Sequence, residues 1–257
     1  MLLTTSAFWR DRLRASAIHL GLSLTIALLA ALLVFGIWYP YPYREISGGR
    51  ELFLLVVSVD VILGPLITLT VFTRSKPVGE LRRDLATVVL IQLAALSYGL
   101  WAVSVARPVH LVFEIDRFRV VHAIDIPPEL LDKTPPGVVA LPLTGPTLLA
   151  VRPFRDQKEN GDATLAALQG VQLGFRPDLW QPYADAIPQV LKAAQPVPAL
   201  KARFADRATE IDRVLAAAGV KPDSVVYLPL VGRSFFWTIF LDPVDAHIVA
   251  TMPLDPF

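Results

Sequence analysis

The stretch Leu52–Thr73, LFLLVVSVDVILGPLITLTVFT, contains one ionisable side chain, Asp60, and is otherwise almost wholly apolar. At 1.5 Å rise per residue, a helix of this length spans a hydrocarbon core of roughly 30 Å. Two further runs of similar length and character flank it, Ile18–Trp38 and Leu85–Val105, and nothing comparable follows. Lipid cannot hydrogen-bond a bare backbone, so helices are the way for such runs to cross. The chain therefore reads as a membrane protein: three transmembrane α-helices (about 18–38, 52–73 and 85–105, within region 1–106), followed by an extracytoplasmic α+β domain, 107–257.

Bulk composition agrees. The chain is 54% hydrophobic, and its mean hydropathy of +0.51 exceeds what a soluble domain normally shows. The formal net charge is only +1, which gives no basic field for nucleic acid. Cysteine is absent, removing disulfides, thiolate catalysis and Cys-based metal sites together. The first run follows Arg10, Arg12 and Arg14 like a signal peptide. It is too long for a cleavable h-region, however, and ends in bulky Trp38-Tyr39-Pro40, so an uncleaved anchor is expected.

Orientation follows from charge in the short loops. Arg10, Arg12 and Arg14 precede the first run, and Arg74, Lys76, Arg82 and Arg83 separate the second from the third. The loop Tyr39–Glu51 carries only Arg44 and Arg50. The N-terminus and second loop are thus expected in the cytoplasm of a bacterial inner membrane, and the C-terminal domain in the periplasm. Trp38, Tyr39, Tyr41 and Tyr43 are expected to form an aromatic belt at the outer face, with Trp101 at that depth.

In the domain, Val109–Ile115 alternates like a strand, and Asp116-Arg117 turns it into a second one, Phe118–Ile126. Seven prolines between Pro127 and Pro153 predict an extended, loop-rich segment with little helix. Gly161–Gln169 and Leu179–Ala194 are weaker helices. Ala199–Ala218 is predicted as one amphipathic helix, with Leu200, Phe204, Ile211, Val214 and Leu215 on its apolar stripe and an ion pair from Glu210 to Arg213. Strands are predicted over Ser224–Val231, Ser234–Leu241 and Ala246–Met252.

Asp60 is the costliest residue: an exposed carboxylate at membrane depth costs on the order of 3 kcal/mol. It is placed roughly 12–14 Å from the outer face and Tyr98 roughly 10–11 Å, so the two are expected to meet, with Gln92 about two turns deeper and a poorer match. Either it relays protons or docks a partner within the membrane, or it hydrogen-bonds neighbouring helices and fixes their register. One turn on, Gly64-Pro65 predicts a kink, because Pro65 removes the amide that would bond the Val61 carbonyl. Where the third helix meets the domain, Arg107, Glu114, Asp116 and Arg117 suggest a membrane-proximal ion network. His19, His110, His122 and His247 show no ligand spacing, so no metal site or other cofactor is expected. No nucleophile elbow, phosphate loop or zinc-protease motif is present, and no catalytic residue is assigned.

Trp38-Tyr39-Pro40 with Gly48-Gly49, then Val59-Asp60-Val61-Ile62-Leu63-Gly64-Pro65-Leu66, then Asp84 with Gln92 through Gly99, then Ala106-Arg107-Pro108 leading to Phe113 through Phe118, together resemble the TfpX/TfpZ-type type IV pilin accessory proteins. The resemblance is ordered from about Trp38 to Ile126 and rests on spacing more than on any one motif. It implies an inner-membrane accessory or chaperone for a type IV major pilin, acting by binding and without turnover, with other pilus assembly components as further partners. It assigns no catalytic residue. Two other readings fit less well. A membrane-anchored periplasmic ligand-binding or sensor protein lacks a cytoplasmic output domain, and a proton-coupled transporter is poorly served by three helices with one clear carboxylate.

Overall fold

The computed structural model describes residues 5–73 and 76–257. Arg74, one of the second-loop charges, lies outside the described residues. Three helices long and apolar enough to cross a membrane, Phe8–Trp38, Gly49–Val71 and Val78–Val105, precede an α+β domain with a mixed sheet. Contacts divide the chain into two compact units, Met1–Ile37 with Gly49–Val105, and Trp38–Gly48 with Ala106–Phe257.

In the first unit, α1 (Thr5–Leu33) begins well before the apolar run, so Arg10, Arg12 and Arg14 sit on helix, and it ends in a π turn, Val34–Trp38. The one-turn α2 (Tyr43–Ile46) belongs to the other unit. The second span consists of α3 (Gly49–Ser58), a π turn (Val59–Leu63) and α4 (Gly64–Val71), and α5 (Val78–Val105) is the third. The proline expected to kink the helix is accommodated by this wider turn directly before it.

The domain is built on an eight-stranded sheet. Strands β1 (Pro108–Glu114) and β2 (Arg117–His122) form the expected hairpin. Ile115 is not part of the strand: it occupies the turn at φ 55° and is largely exposed. β3 (Thr147–Val151) lies parallel to β1. Then come α6 (Gln157–Leu168), β4 (Trp180–Pro182), α7 (Ile187–Ala193), β5 (Gln195–Pro196), α8 (Val197–Arg203) and α9 (Ala208–Ala217). Strands β6 (Val226–Val231), β7 (Phe236–Leu241) and β8 (Ile248–Met252) close the chain. The order is β4-β3-β1-β2-β6-β7-β8, with β5 on β6; β1–β3 and β2–β6 are parallel and the other pairs antiparallel.

Both faces of β1 are covered, so its expected alternation of buried and exposed residues is replaced by burial throughout. A register shift between Pro108 and His110 places Val109 in the cluster of Val112, Val121, Leu149 and Trp180, while Leu111 and Phe113 pack with Phe118, Leu230 and Ile239. The single helix expected over Ala199–Ala218 is two, broken where Phe204 takes φ −120°, ψ 61°. Leu200, Ile211 and Leu215 nevertheless share one core cluster across the break. Glu210 pairs with Arg207 at 2.7 Å instead of Arg213, because α9 starts only at Ala208 and Arg207 lies just before its first turn.

The loop Trp38–Gly48 departs most from expectation. Tyr39 and Ile46 are fully buried, Ile46 belongs to the sheet's main core cluster, and Tyr43 packs against it. Gly232, in the β6–β7 turn, makes room: a Cβ there would stand 2.5 Å from Ile46 Cγ1. Burial pushes the Tyr39 phenol up, against the pull of Arg233 and Arg107 nearby. Two of the four belt aromatics, Tyr39 and Tyr43, are therefore domain-core side chains, and Tyr41 sits against Trp237 with ring centroids 6.4 Å apart. Because residues on both sides of two membrane spans share this core, the first loop and the C-terminal domain lie on one side of the membrane.

Two predictions follow from this packing. Ile46→Ala leaves a cavity in the core and is expected to cost about 2–5 kcal/mol, read as a lower unfolding midpoint of the full chain in detergent; an unchanged midpoint would remove the loop from the core. The second concerns His110, whose Nε2 lies 2.9 Å from the Ala140 carbonyl and must donate to it, leaving Nδ1 to accept from Thr147 Oγ1 at 2.6 Å. Burial pushes this imidazole down from 6.5 to about 4, against the Ala140 hydrogen bond. Its value is depressed on folding, so its contribution is full above pH 6.5 and is lost as pH falls towards 4. That loss should approach roughly 3 kcal/mol, and His110→Gln should flatten this part of the stability–pH curve.

Candidate functional site

Asp60 lies within the π turn of the second span, roughly 16 Å along the helix from Gly49. In an α-helix its carbonyl would bond the amide of residue 64, and in a π turn the amide of residue 65. Residue 65 is proline and has none. Gln92 on α5 supplies the missing donor: its Nε2 donates to the Asp60 carbonyl at 3.3 Å. Gly64 makes that reach possible, since a Cβ at 64 would occupy the space of the Gln92 amide. Asp60, Gly64, Pro65 and Gln92 are one structural unit, in which a break in one helix is closed by a side chain from another.

Tyr98 is not part of it. Its ring is exposed and lies 5.6 Å from that of Trp101. Matching depth alone misplaced it: six residues separate Gln92 from Tyr98, which turns the helix about 120° away from the packed face. The packed face runs through Val88, Gln92, Gly99 and Val103. Gly99 meets Val56 so closely that a Cβ would lie 2.5 Å from its Cγ1.

The second span is also tied to α1. Arg12 donates to Thr73 Oγ1 at 2.7 Å, Ser16 donates to the Pro65 carbonyl at 2.9 Å, and His19 Nδ1 lies 2.5 Å from Thr68 Oγ1. Sequence reasoning gave His19 and Thr68 no role. The available signal was that His19 stands at the start of an apolar run, where a polar side chain needs a partner on a neighbouring span. Between the three spans is a cavity of about 380 Å³ whose walls are mostly Leu, Ile, Val and Ala, with His19, Ser23, Asp60, Thr68 and Gln92 as its polar members. Asp60 Oδ1 is shielded from solvent and has no hydrogen-bond partner among the described residues. The arrangement can accept a hydrogen bond inside the membrane and enclose apolar side chains.

The membrane-proximal residues do not form a single network. Arg107 donates from Nε and Nη2 to the Pro142 carbonyl at 3.3 and 3.1 Å. Glu114, at the far end of β1 and so roughly 20 Å along the strand, is buried. It pairs with Arg119 at 2.5 Å and accepts from the Gly174 amide at 2.7 Å. Asp116 and Arg117 pair with each other at 2.7 Å in the turn beyond, and Arg117 lies over the Phe257 ring. An extended strand separates groups that sequence proximity suggested were clustered. Among the described residues, Asp242, Asp245 and His247 bring three metal-type donors within 4.8 Å. Asp242 and Asp245 already accept hydrogen bonds that shape their turn, from Val244 and from His247.

The family described as Fimbrial assembly protein FimB matches residues 7–48, the first span and the loop that enters the domain core. Similar over nearly the whole chain are two proteins of Dichelobacter nodosus. The fimbrial assembly protein of serogroup I is 36% identical over 249 residues, and that of serogroup E1 is 34% identical over 249; each alignment covers 95% of both chains. The protein of serogroups C1 and C2 is 43% identical over 122 residues, 48% of this chain and 91% of that one. No solved structure matches.

The Gln92 contact yields a double-mutant prediction. Gly64→Ala displaces the Gln92 amide, and Gln92→Ala leaves the Asp60 carbonyl unpaired, each expected to cost about 1–2 kcal/mol. The double variant should lose less than the sum of the two, read from unfolding in detergent. Fully additive losses would refute the coupling.

Proposed function

We propose a binding role without turnover for this chain, which belongs to the fimbrial assembly protein (FimB) family of pilus biogenesis: an inner-membrane accessory factor that holds a cognate type IV major pilin before assembly. The narrower likeness to TfpX/TfpZ-type accessory proteins belongs to this proposal. The observation that carries it is the cavity among the three spans. It is apolar enough to receive side chains of another membrane helix, and it contains a carboxyl oxygen without a hydrogen-bond partner among the described residues. The partner so described is a single apolar stem with a hydrogen-bond donor at mid-membrane depth. A pilin subunit awaiting assembly presents an apolar stem in the bilayer and a head outside it, a geometry this chain mirrors with its bundle and its domain.

The loop charges support a cytoplasmic N-terminus. The first loop is part of the domain core, which with those charges supports a periplasmic domain. A domain on that side would meet a pilin head.

Photocrosslinking probes at Val89 and Leu93, which line the cavity, are expected to capture the major pilin in cells, and a probe at Tyr98 to capture much less. Exchange of the pilin stem should abolish the adducts. Asp60→Asn should weaken them at unchanged protein level, while Asp60→Leu should also lower the level. Absence of any pilin adduct at normal protein level would overturn the proposal and point to an indirect role.

A further inference from the structure

From Thr134 to Val151 the chain has no charged residue. Within this segment the backbone is fixed at two carbonyls two residues apart. His110 Nε2 holds Ala140, and the Arg107 guanidinium holds Pro142, which is itself buried. Around these two held carbonyls, Val139, Leu141 and Leu143 are 66%, 38% and 75% exposed. Single exposed aliphatics are ordinary. Three within five residues of a charge-free segment, on a backbone clamped at two carbonyls, point to an occupant.

Its position indicates which. Arg107 stands two residues beyond Val105, the last residue of α5. Two residues reach at most about 7 Å, so the Arg107 backbone stays near the end of α5 by covalent geometry. The polar layer of a bilayer is several ångströms deep on each side, and apolar side chains of peripheral segments enter it by roughly 5–10 Å.

We propose that the loop around Pro142 is a lipid-contacting wedge, with Val139, Leu141 and Leu143 seated in the interfacial zone of the leaflet from which α5 emerges. The occupant is the boundary between lipid headgroup and acyl chain. The row offers it no charge, and its backbone carbonyls at 140 and 142 are already satisfied, as burial in lipid requires. The wedge would limit rocking of the domain about the end of α5 and set the height at which the domain stands above the bilayer.

The chain has no cysteine, so single cysteines can be introduced without background. The test uses the full chain in liposomes, with an environment-sensitive fluorophore on Leu141→Cys or Leu143→Cys, and on Leu168→Cys and Val244→Cys as exposed comparison positions. Expected at 141 and 143 are blue-shifted emission, quenching by nitroxide carried on the lipid near the glycerol, and protection from aqueous iodide. Emission typical of water with free access of iodide at both positions would overturn the proposal. So would protection from iodide without quenching by lipid nitroxide, which would mean that a protein surface covers the row.

Discussion

Hydrocarbon provides no hydrogen bonds, and the rest of this molecule's membrane architecture follows from how the second span meets that constraint. Pro65 withdraws an amide in the middle of the helix, and the preceding turn widens to accommodate its ring. A carbonyl is then left without its own helix's donor, and only another helix can supply one. Gln92 does so at the expense of a side chain at residue 64, which must be glycine for the amide to fit. That one bond fixes the rotation of α5 against the second span and turns Gly99 onto Val56. It also leaves the Asp60 carboxyl facing the cavity, where the proposed partner would complete it.

The domain shows the same dependence between distant segments. Its sheet is mixed because two parallel pairings join a β1–β2 hairpin to strands contributed by distant parts of the chain. Its largest core cluster is finished by Ile46, from a loop that separates two membrane spans. Asp125 links the end of β2 to the β6–β7 turn through His122 at 2.8 Å and Arg233 at 2.6 Å. Burial pushes that carboxyl up, but the hydrogen bonds from His122 and Arg233 outweigh it and hold it below the usual carboxylate range. The turn that receives the loop is thereby tied to the end of β2.

How far the sequence could be read depended on whether a signal was local. The three spans, the β1–β2 hairpin and the closing strands were legible because hydrophobic run length and alternation need no distant partner. Asp60, Gly64, Pro65 and Gln92 were recognisable individually, as a charge, a missing Cβ, a missing amide and a polar group in lipid. Their union was not, since it depends on helix rotation, and depth alone selected Tyr98. β3 was hidden in a proline-rich stretch because its pairing with β1 is long-range. Tyr39 and Tyr43 were misassigned to the interface since aromatic residues beside a span look alike whether they face headgroups or a protein core. Phe204 sits on the expected stripe, and nothing local marks the break that divides the helix there.

The buried loop has a consequence for the order of events during synthesis. Ile46 is made long before Gly232, yet neither can reach its final packing without the other. The C-terminal domain can complete its core only after two helices have been threaded so that residues 38–48 emerge on the side where residues 106–257 arrive. A chain in which the second or the third span failed to cross would present the half-built sheet with an unfilled socket. Completion of the domain core thus depends on both intervening spans having crossed.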